Sequence, residues 1–162
     1  MDFEESGQDL RMIEELTNSL YSCISFRQGE KPELARLKSL FIKEGILINN
    51  NDDPLIFTIY QFVEAIEEQL SAGSLRSFSE REVAERTDIF GKVAHRFSTY
   101  EARFDPDDPE PLTVGINSIQ LVKVDGSWRV SSIVWNDESE SRRIPEKYNS
   151  NLRDGGTDRP TG

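Results

Sequence analysis

The sequence predicts an α+β domain in which helices come first and a run of antiparallel strands follows. Three observations predict it. Apolar residues recur at three- and four-residue steps as far as Leu70, the stripe of amphipathic helices. From residue 82 onward the pattern turns extended, in long segments separated by tight turns. A length of 162 residues fits one domain with room for a real core. Helices segregated from consecutive strands pack together on one face of a sheet.

Each element follows in order. Residues 1–8 hold Asp2, Glu4 and Glu5 without a base and read as a disordered, solvated lead-in. Asp9 is expected to cap the first helix, whose stripe is Leu10, Ile13, Leu16, Leu20, Cys23 and Ile24. Gly29 ends it. Pro32 suits a first helical turn, and Leu34, Leu37, Leu40 and Phe41 give a second stripe that Gly45 is expected to close. Residues 46–48 read as a strand running into an Asn- and Asp-rich turn at 49–54. Thr58 is the cap expected for a third helix carrying Ile59, Phe62, Val63, Ile66 and Leu70, with Gly73 as its stop. Strands are expected over 82–90 and 92–104, joined through Gly91, and over 115–124 and 127–136, flanking the Asp125-Gly126 turn. Residues 105–111 hold four acids and three prolines and must form an exposed loop. The folded domain is therefore expected over 9–148, followed by a disordered tail over 149–162.

Composition removes several classes of function. Nineteen basic against thirty acidic residues give a formal net charge of −11, which opposes binding to a phosphate backbone, so no nucleic-acid partner is expected. No apolar run approaches the ~18 residues of a membrane span. The opening segment lacks the apolar stretch of a secretory leader, so a cytoplasmic location is expected. One cysteine excludes a disulfide framework and a multi-cysteine zinc site. One histidine, His95, leaves a Ser-His-Asp triad or a multi-histidine metal site without its other members. The acids at 52–53 and 105–110 lack the alternation of a calcium loop and read as solvated. No metal and no cofactor are expected.

The segments FGKVAHRFSTYEAR at 90–103 and GINSIQL at 115–121 carry a resemblance, extended by Trp128-Arg129-Val130, Ile133-Val134-Trp135, Ile144-Pro145 and Tyr148. Over 10–148 the chain resembles the nuclear transport factor 2-like (SnoaL-like) superfamily, in an uncharacterised bacterial branch. The resemblance implies a cone-shaped curved antiparallel sheet wrapped by three N-terminal helices, a homodimer and an unknown small molecule in the cavity. Cavities of that superfamily serve isomerases, cyclases, dehydratases and hydrolases, and also pure binding domains, so fold transfers better than activity.

Ketosteroid isomerases use an aspartate base in such a cavity. The position here that aligns with that base is Asn49, which cannot take a proton near neutral pH. Tyr21 on the first helix offers a phenol. Strand alternation puts Ser98 and Tyr100 on one face, and His95, Thr99, Glu101 and Arg103 on the other. The Asn117-Ile119-Leu121 face is the more core-like and is expected to meet Trp128 and Val130. Ser118, Gln120 and Val122 with Ile133 and Trp135 form the face expected to make the dimer. The ligand-binding candidates are Tyr100, Glu101, Arg103, Asn117, Gln120 and His95. Glu101 is the leading carboxylate, although Arg103 on the same face favours its ionised form. Three readings remain open at this point: a small-molecule-binding domain, an isomerase, dehydratase or cyclase, and an interaction module.

Removing residues 149–162 is expected to leave the thermal midpoint unchanged, because that stretch has too little apolar area to offset its ordering entropy. A differential scanning calorimetry trace that falls by more than a few degrees would show that the tail docks on the body.

Overall fold

The computed structural model of the chain describes residues 3–149. The tail expected at 149–162 therefore lies, apart from Asn149, outside the described residues. Three helices, α1 (Phe3–Ile24), α2 (Leu34–Ser39) and α3 (Ile59–Ala72), accompany six strands. These are β1 (Phe41–Asn49), β2 (Leu55–Thr58), β3 (Ser79–Phe90), β4 (Val93–Arg103), β5 (Thr113–Val124) and β6 (Ser127–Asp137). They form one curved sheet in the order β2-β1-β6-β5-β4-β3. The sheet is mixed: β6 returns beside β1 and runs parallel to it, while every other pairing is antiparallel.

The stripe of α1 does what its spacing predicts. Ile13, Leu16, Leu20 and Cys23 are buried against Ile119, Leu121, Val130 and Ile133 of the sheet. Each such side chain contributes roughly 1.5–3 kcal/mol on burial. Burial pushes the Cys23 thiol up from its usual range, as befits a small buried hydrophobe and not a nucleophile. The cap of α3 is also as expected. Thr58 Oγ1 accepts from the Gln61 N–H at 3.1 Å, Gln61 Oε1 accepts from the Thr58 N–H at 3.0 Å, and Gly73 ends the helix at φ 75°.

Three local expectations are corrected. Helix α1 begins at Phe3, so Asp9 is not its cap. The Asp9 side chain is buried and accepts from Trp128 Nε1 and Lys123 Nζ, each at 2.9 Å, which ties α1 to the β5–β6 hairpin. Gly45 does not close α2; it lies inside β1, where the ladder to β6 shifts register between Phe41 and Ile46. A Cβ at Gly45 would stand 2.7 Å from the Phe41 ring, so glycine lets that ring fold back into the core. Strand β2, the apolar run Leu55–Thr58, adds to the strands expected and lies at the sheet edge with three of its four residues exposed.

The fourth correction concerns the face assigned to the dimer. Continued without interruption, the Val124↔Ser127 register of the β5–β6 hairpin would set Ile133 opposite Ser118. A register shift between Gln120 and Leu121 instead sets Ile133 opposite Ile119 and Trp135 opposite Asn117. One extra residue in a strand exchanges its faces beyond that point. Ile133 and Trp135 therefore pack inward, and the Val122–Ile133–Trp135 patch does not exist. A second bulge, between Glu82 and Ala84, brings Glu82, Glu85 and Thr87 onto the inner face of β3 opposite Tyr100, Ser98 and Arg96.

Replacing Asp9 by Ala is expected to cost about 2–3 kcal/mol, since it strands the Trp128 N–H and removes the partner of Lys123. The effect should depend on pH. Burial alone would raise the Asp9 carboxyl, but Lys123 and Trp128 outweigh it and hold it below 3.8. A lowered carboxylate stabilises the fold above its ordinary range and loses that contribution as pH falls through the lower native value. Urea titrations should therefore show the parent and Asp9→Ala converging in acid and furthest apart near neutrality.

Candidate functional site

The polar centre of the inner face is assembled where the end of α1 meets the start of β3. Phe26 and Phe78 exchange backbone hydrogen bonds at 2.8 and 3.0 Å. Two residues on, the Glu80 N–H donates to Ser25 Oγ at 3.1 Å, and the Ser25 hydroxyl donates to the Tyr21 carbonyl at 2.8 Å. These bonds bring the Tyr21 phenol over the inner face, within reach of β4 and β5. Tyr21 and Ser98 share a hydrogen bond of 2.6 Å, and Asn117 Nδ2 donates both to the Tyr21 oxygen at 3.0 Å and to Glu80 Oε1 at 3.3 Å.

Below this group lies an ion cluster. Arg96, only 3% exposed, donates through Nε and Nη2 to Glu82 at 3.0 and 2.6 Å, and through Nη1 to Thr87 Oγ1 at 2.9 Å. Nη1 also stands 3.2 Å from Glu85 Oε2. Ser98 Oγ donates to Glu82 Oε2 at 2.5 Å and so joins the cluster to Tyr21.

A second arm completes the site. The Tyr100 phenol donates to Asp137 Oδ1. It lies across Gly115, where a Cβ would stand 2.6 Å from the phenol ring carbon, so only glycine leaves it that path. Asp137 Oδ2 accepts from Asn51 Nδ2 at 3.0 Å, and the Asp137 N–H donates to Asn51 Oδ1 at 2.7 Å. The Asn51 N–H donates to Asn49 Oδ1 at 3.1 Å, and the Asn50 N–H to the Trp135 carbonyl at 3.0 Å. Residues 49–51 are thus more than a turn: they clamp the end of β1 to the end of β6 and hold Asp137. Phe78 and Trp135 supply the apolar wall beside Tyr21, Tyr100 and Ala102. Trp135 meets Phe62 of α3 edge to face at 6.3 Å.

The electrostatics separate the two carboxyl-bearing regions. Burial pushes Glu80 up to about 7, and the Asp137 charge adds to the rise, while the Asn117 hydrogen bond works against it. Both phenols are raised as well, Tyr21 by burial and the Glu80 charge, Tyr100 by burial and its bond to Asp137. The site therefore holds one acid that titrates near neutral pH, beside two phenols that stay protonated. Among the described residues no group of three or more His, Cys, Asp or Glu is placed to hold a metal ion.

No family profile matches the chain, and no curated protein does. Solved structures match it well. A cystatin-like protein of unknown function from Nostoc punctiforme is 12% identical at a TM-score of 0.66, over 82% of this chain and 93% of that one. A nuclear transport factor 2-like protein of unknown function from Methylobacillus flagellatus is 19% identical at 0.55, over 82% and 94%. The chain has the nuclear transport factor 2-like fold. A scytalone dehydratase-like protein from Novosphingobium aromaticivorans shares it at 15% identity and a TM-score of 0.65, over 92% of this chain and 97% of its own. So does a hexachlorocyclohexane dehydrochlorinase of LinA type 3 from Novosphingobium barchaimii, at 8% and 0.66, over 85% and 92%.

Within this nuclear transport factor 2-like cone the sequence-derived candidates divide by face. Tyr100 and Asn117 lie inside, where they meet Tyr21 and Glu80. Glu101, Arg103, Gln120 and His95 lie on the outer face. Glu101 pairs with Arg81 at 2.8 Å and Arg103 at 3.3 Å, and these cations hold its carboxyl below the usual range. Arg103 also donates to the Asp108 carbonyl at 2.9 Å and anchors the acidic loop. His95 bonds Asp88 at 2.9 Å in the open, and Gln120 is exposed. The outer face also carries a groove of about 320 Å³ between Phe97, Ile116 and Val134 of the sheet and the segment holding Ile144 and Tyr148. Trp135 and Asp137 border this groove as well as the inner cluster, whereas Glu80, Tyr21 and Asn117 do not line it. Sequence reasoning missed Glu80, Glu82, Arg96 and Asp137. The one available signal was the recurrence of acids at 80, 82 and 85, whose shared face depends on the bulge between them.

Two measurements test this geometry. Gly115→Ala should destabilise the protein by about 1–3 kcal/mol through overlap with Tyr100, and by clearly less when Tyr100→Phe has already removed the phenol oxygen. Additive losses in a double-mutant cycle would deny the contact. Glu80→Gln should remove a pH dependence: a raised carboxyl costs the fold progressively more from 4.5 up to about 7. The variant's midpoint should therefore overtake the parent's as pH rises through that window.

Proposed function

We propose that this chain is a small-molecule-binding protein whose ligand occupies the inner side of the cone, with Tyr100 and Asn117 among its contacts. Glu80 is the observation that carries the reading. A partly buried structural carboxyl on an inner face normally faces a cation, as Glu82 faces Arg96. Glu80 instead faces an amide, two phenols and the Asp137 carboxylate. An acid kept in that setting is suited to a ligand that completes its hydrogen bonding, and the Phe78 and Trp135 wall suits an apolar body. Glu101, Arg103, Gln120 and His95 act in this reading as surface pairs and loop anchors. Native mass spectrometry of protein purified under gentle conditions tests it. A co-purified small molecule that is lost in Asn117→Leu supports the reading; retention of the molecule in that variant counts against an inner site.

A second reading, an acid–base enzyme in the same cone, is favoured by one observation: Glu80 titrates near 7, where a carboxyl both gives and takes a proton readily. Two proteins of the same fold bear names that denote loss of water and of hydrogen chloride. Turnover of any substrate that Glu80→Gln abolishes without loss of binding would move the assignment from binding protein to enzyme.

We further propose a homodimer in the cytoplasm. Phe90, Val93 and Val124 are 82%, 56% and 45% exposed at the turn end of the outer face, and joining two copies there would remove them from water. Light scattering should give twice the chain mass at micromolar concentration, and Val93→Asp should halve it. A monomer mass for the unmodified protein sinks the dimer without touching the binding reading.

A further inference from the structure

Building on the binding reading, we infer that Arg96, Glu82 and Ser98 are positioning residues that orient the Asn117 amide, and that the site so oriented takes a neutral molecule bearing a hydroxyl group. The direction of each hydrogen bond follows from the one before it. The Arg96 guanidinium can only donate, and paired with it Glu82 can only accept. Ser98 has one proton and gives it to Glu82 at 2.5 Å, so at its 2.6 Å contact with Tyr21 it must accept. Tyr21 then has no proton left for a ligand, and its oxygen accepts from Asn117 Nδ2 at 3.0 Å. The amide nitrogen is thereby turned toward Tyr21 and Glu80. Among the described residues no donor reaches Asn117 Oδ1, and Tyr100 has committed its proton to Asp137.

The chemical class of the occupant follows from what is left. The site offers one acceptor, Asn117 Oδ1, and one titratable group, Glu80, whose neutral form donates. A hydroxyl matches both at once, accepting from Glu80 and donating to Asn117. An anion does not fit. Glu80 is faced by Tyr21 of α1, Tyr100 of β4, Asn117 of β5 and Asp137 of β6, none of them cationic. The guanidinium of the inner face, Arg96, is already enclosed by Glu82, Glu85 and Thr87. Hydroxyl binding should accordingly require the proton on Glu80 and weaken as that proton leaves.

Fluorescence titration with 2-naphthol and 2-naphthoate, which share one ring system, tests the class. The native protein should bind 2-naphthol at pH 6, at least tenfold more weakly at pH 8.5, and 2-naphthoate at least tenfold more weakly than 2-naphthol at either pH. Equal binding of the two would leave an inner binding site standing and overturn the hydroxyl class; binding of neither would overturn the class and the binding reading together. The positioning role is tested on the empty protein by carbon-13 titration of the Glu80 carboxyl. Ser98→Ala should raise its midpoint, because the freed amide no longer holds its N–H on the charged form, and Ser98→Thr should restore it. A folded Ser98→Ala protein with an unmoved Glu80 midpoint would overturn the positioning role whatever the naphthol result.

Discussion

A guanidinium sits 3% exposed on the concave side of the sheet, and the polar interior of this protein is organised around it. Removing such a charge from water costs several kcal/mol unless it is closely paired, and breaking a pair once formed costs about 3–5 kcal/mol. Arg96 meets that demand with Glu82, Glu85 and Thr87, all from β3. They can surround it only because the bulge between Glu82 and Ala84 places residues on both sides of the irregularity on one face. The bulge is thus part of the electrostatics, not a defect in the ladder.

From that pair the polarity of the interior propagates outward. A permanent donor fixes an acceptor, which fixes the Ser98 hydroxyl, then the Tyr21 phenol, then the Asn117 amide. Hydroxyls and amides are ambivalent in isolation, and a charge at one end of a chain removes the ambiguity from every member. Glu80 stands at the far end, beyond the reach of the guanidinium. Two carboxylates separated by two residues on one strand therefore occupy opposite regimes, Glu82 locked in an ion pair and Glu80 raised toward neutrality. Environment decides which of them can meet a ligand.

The outer face shows a different economy of contacts. Its pairs, His95 with Asp88 and Glu101 with Arg81, lie at or near the surface, where such contacts are worth little to stability. They fit register and solubility in a chain of net charge −11. The segment 138–148 lies against part of this face, with Tyr148 stacked edge to face on Phe97 at 5.2 Å and its carbonyl taking the Thr99 hydroxyl. The packing of Tyr148 carries the ordered body of the described chain past the end of β6.

What the sequence determined by itself was local. The α1 stripe, the Thr58 cap, the Gly73 stop, the Asp125-Gly126 hairpin and the alternation that separates Tyr100 from Glu101 all depend on neighbours within a few residues. These were legible. Tertiary structure decided whatever depends on a register set at a distance. One extra residue in a ladder turned Ile133 and Trp135 from the outer face to the inner, and another gathered Glu82, Glu85 and Thr87 around Arg96. Glu80 was equally hidden, because its role arises from Phe26 meeting Phe78 across the chain. Asp9 reads as a cap in sequence and becomes a buried acceptor for Trp128, more than a hundred residues away, as its bond shows at a separation of 119. A side-chain period of two carries no memory of a bulge, so a strand's sequence states which residues share a face but not which face that is.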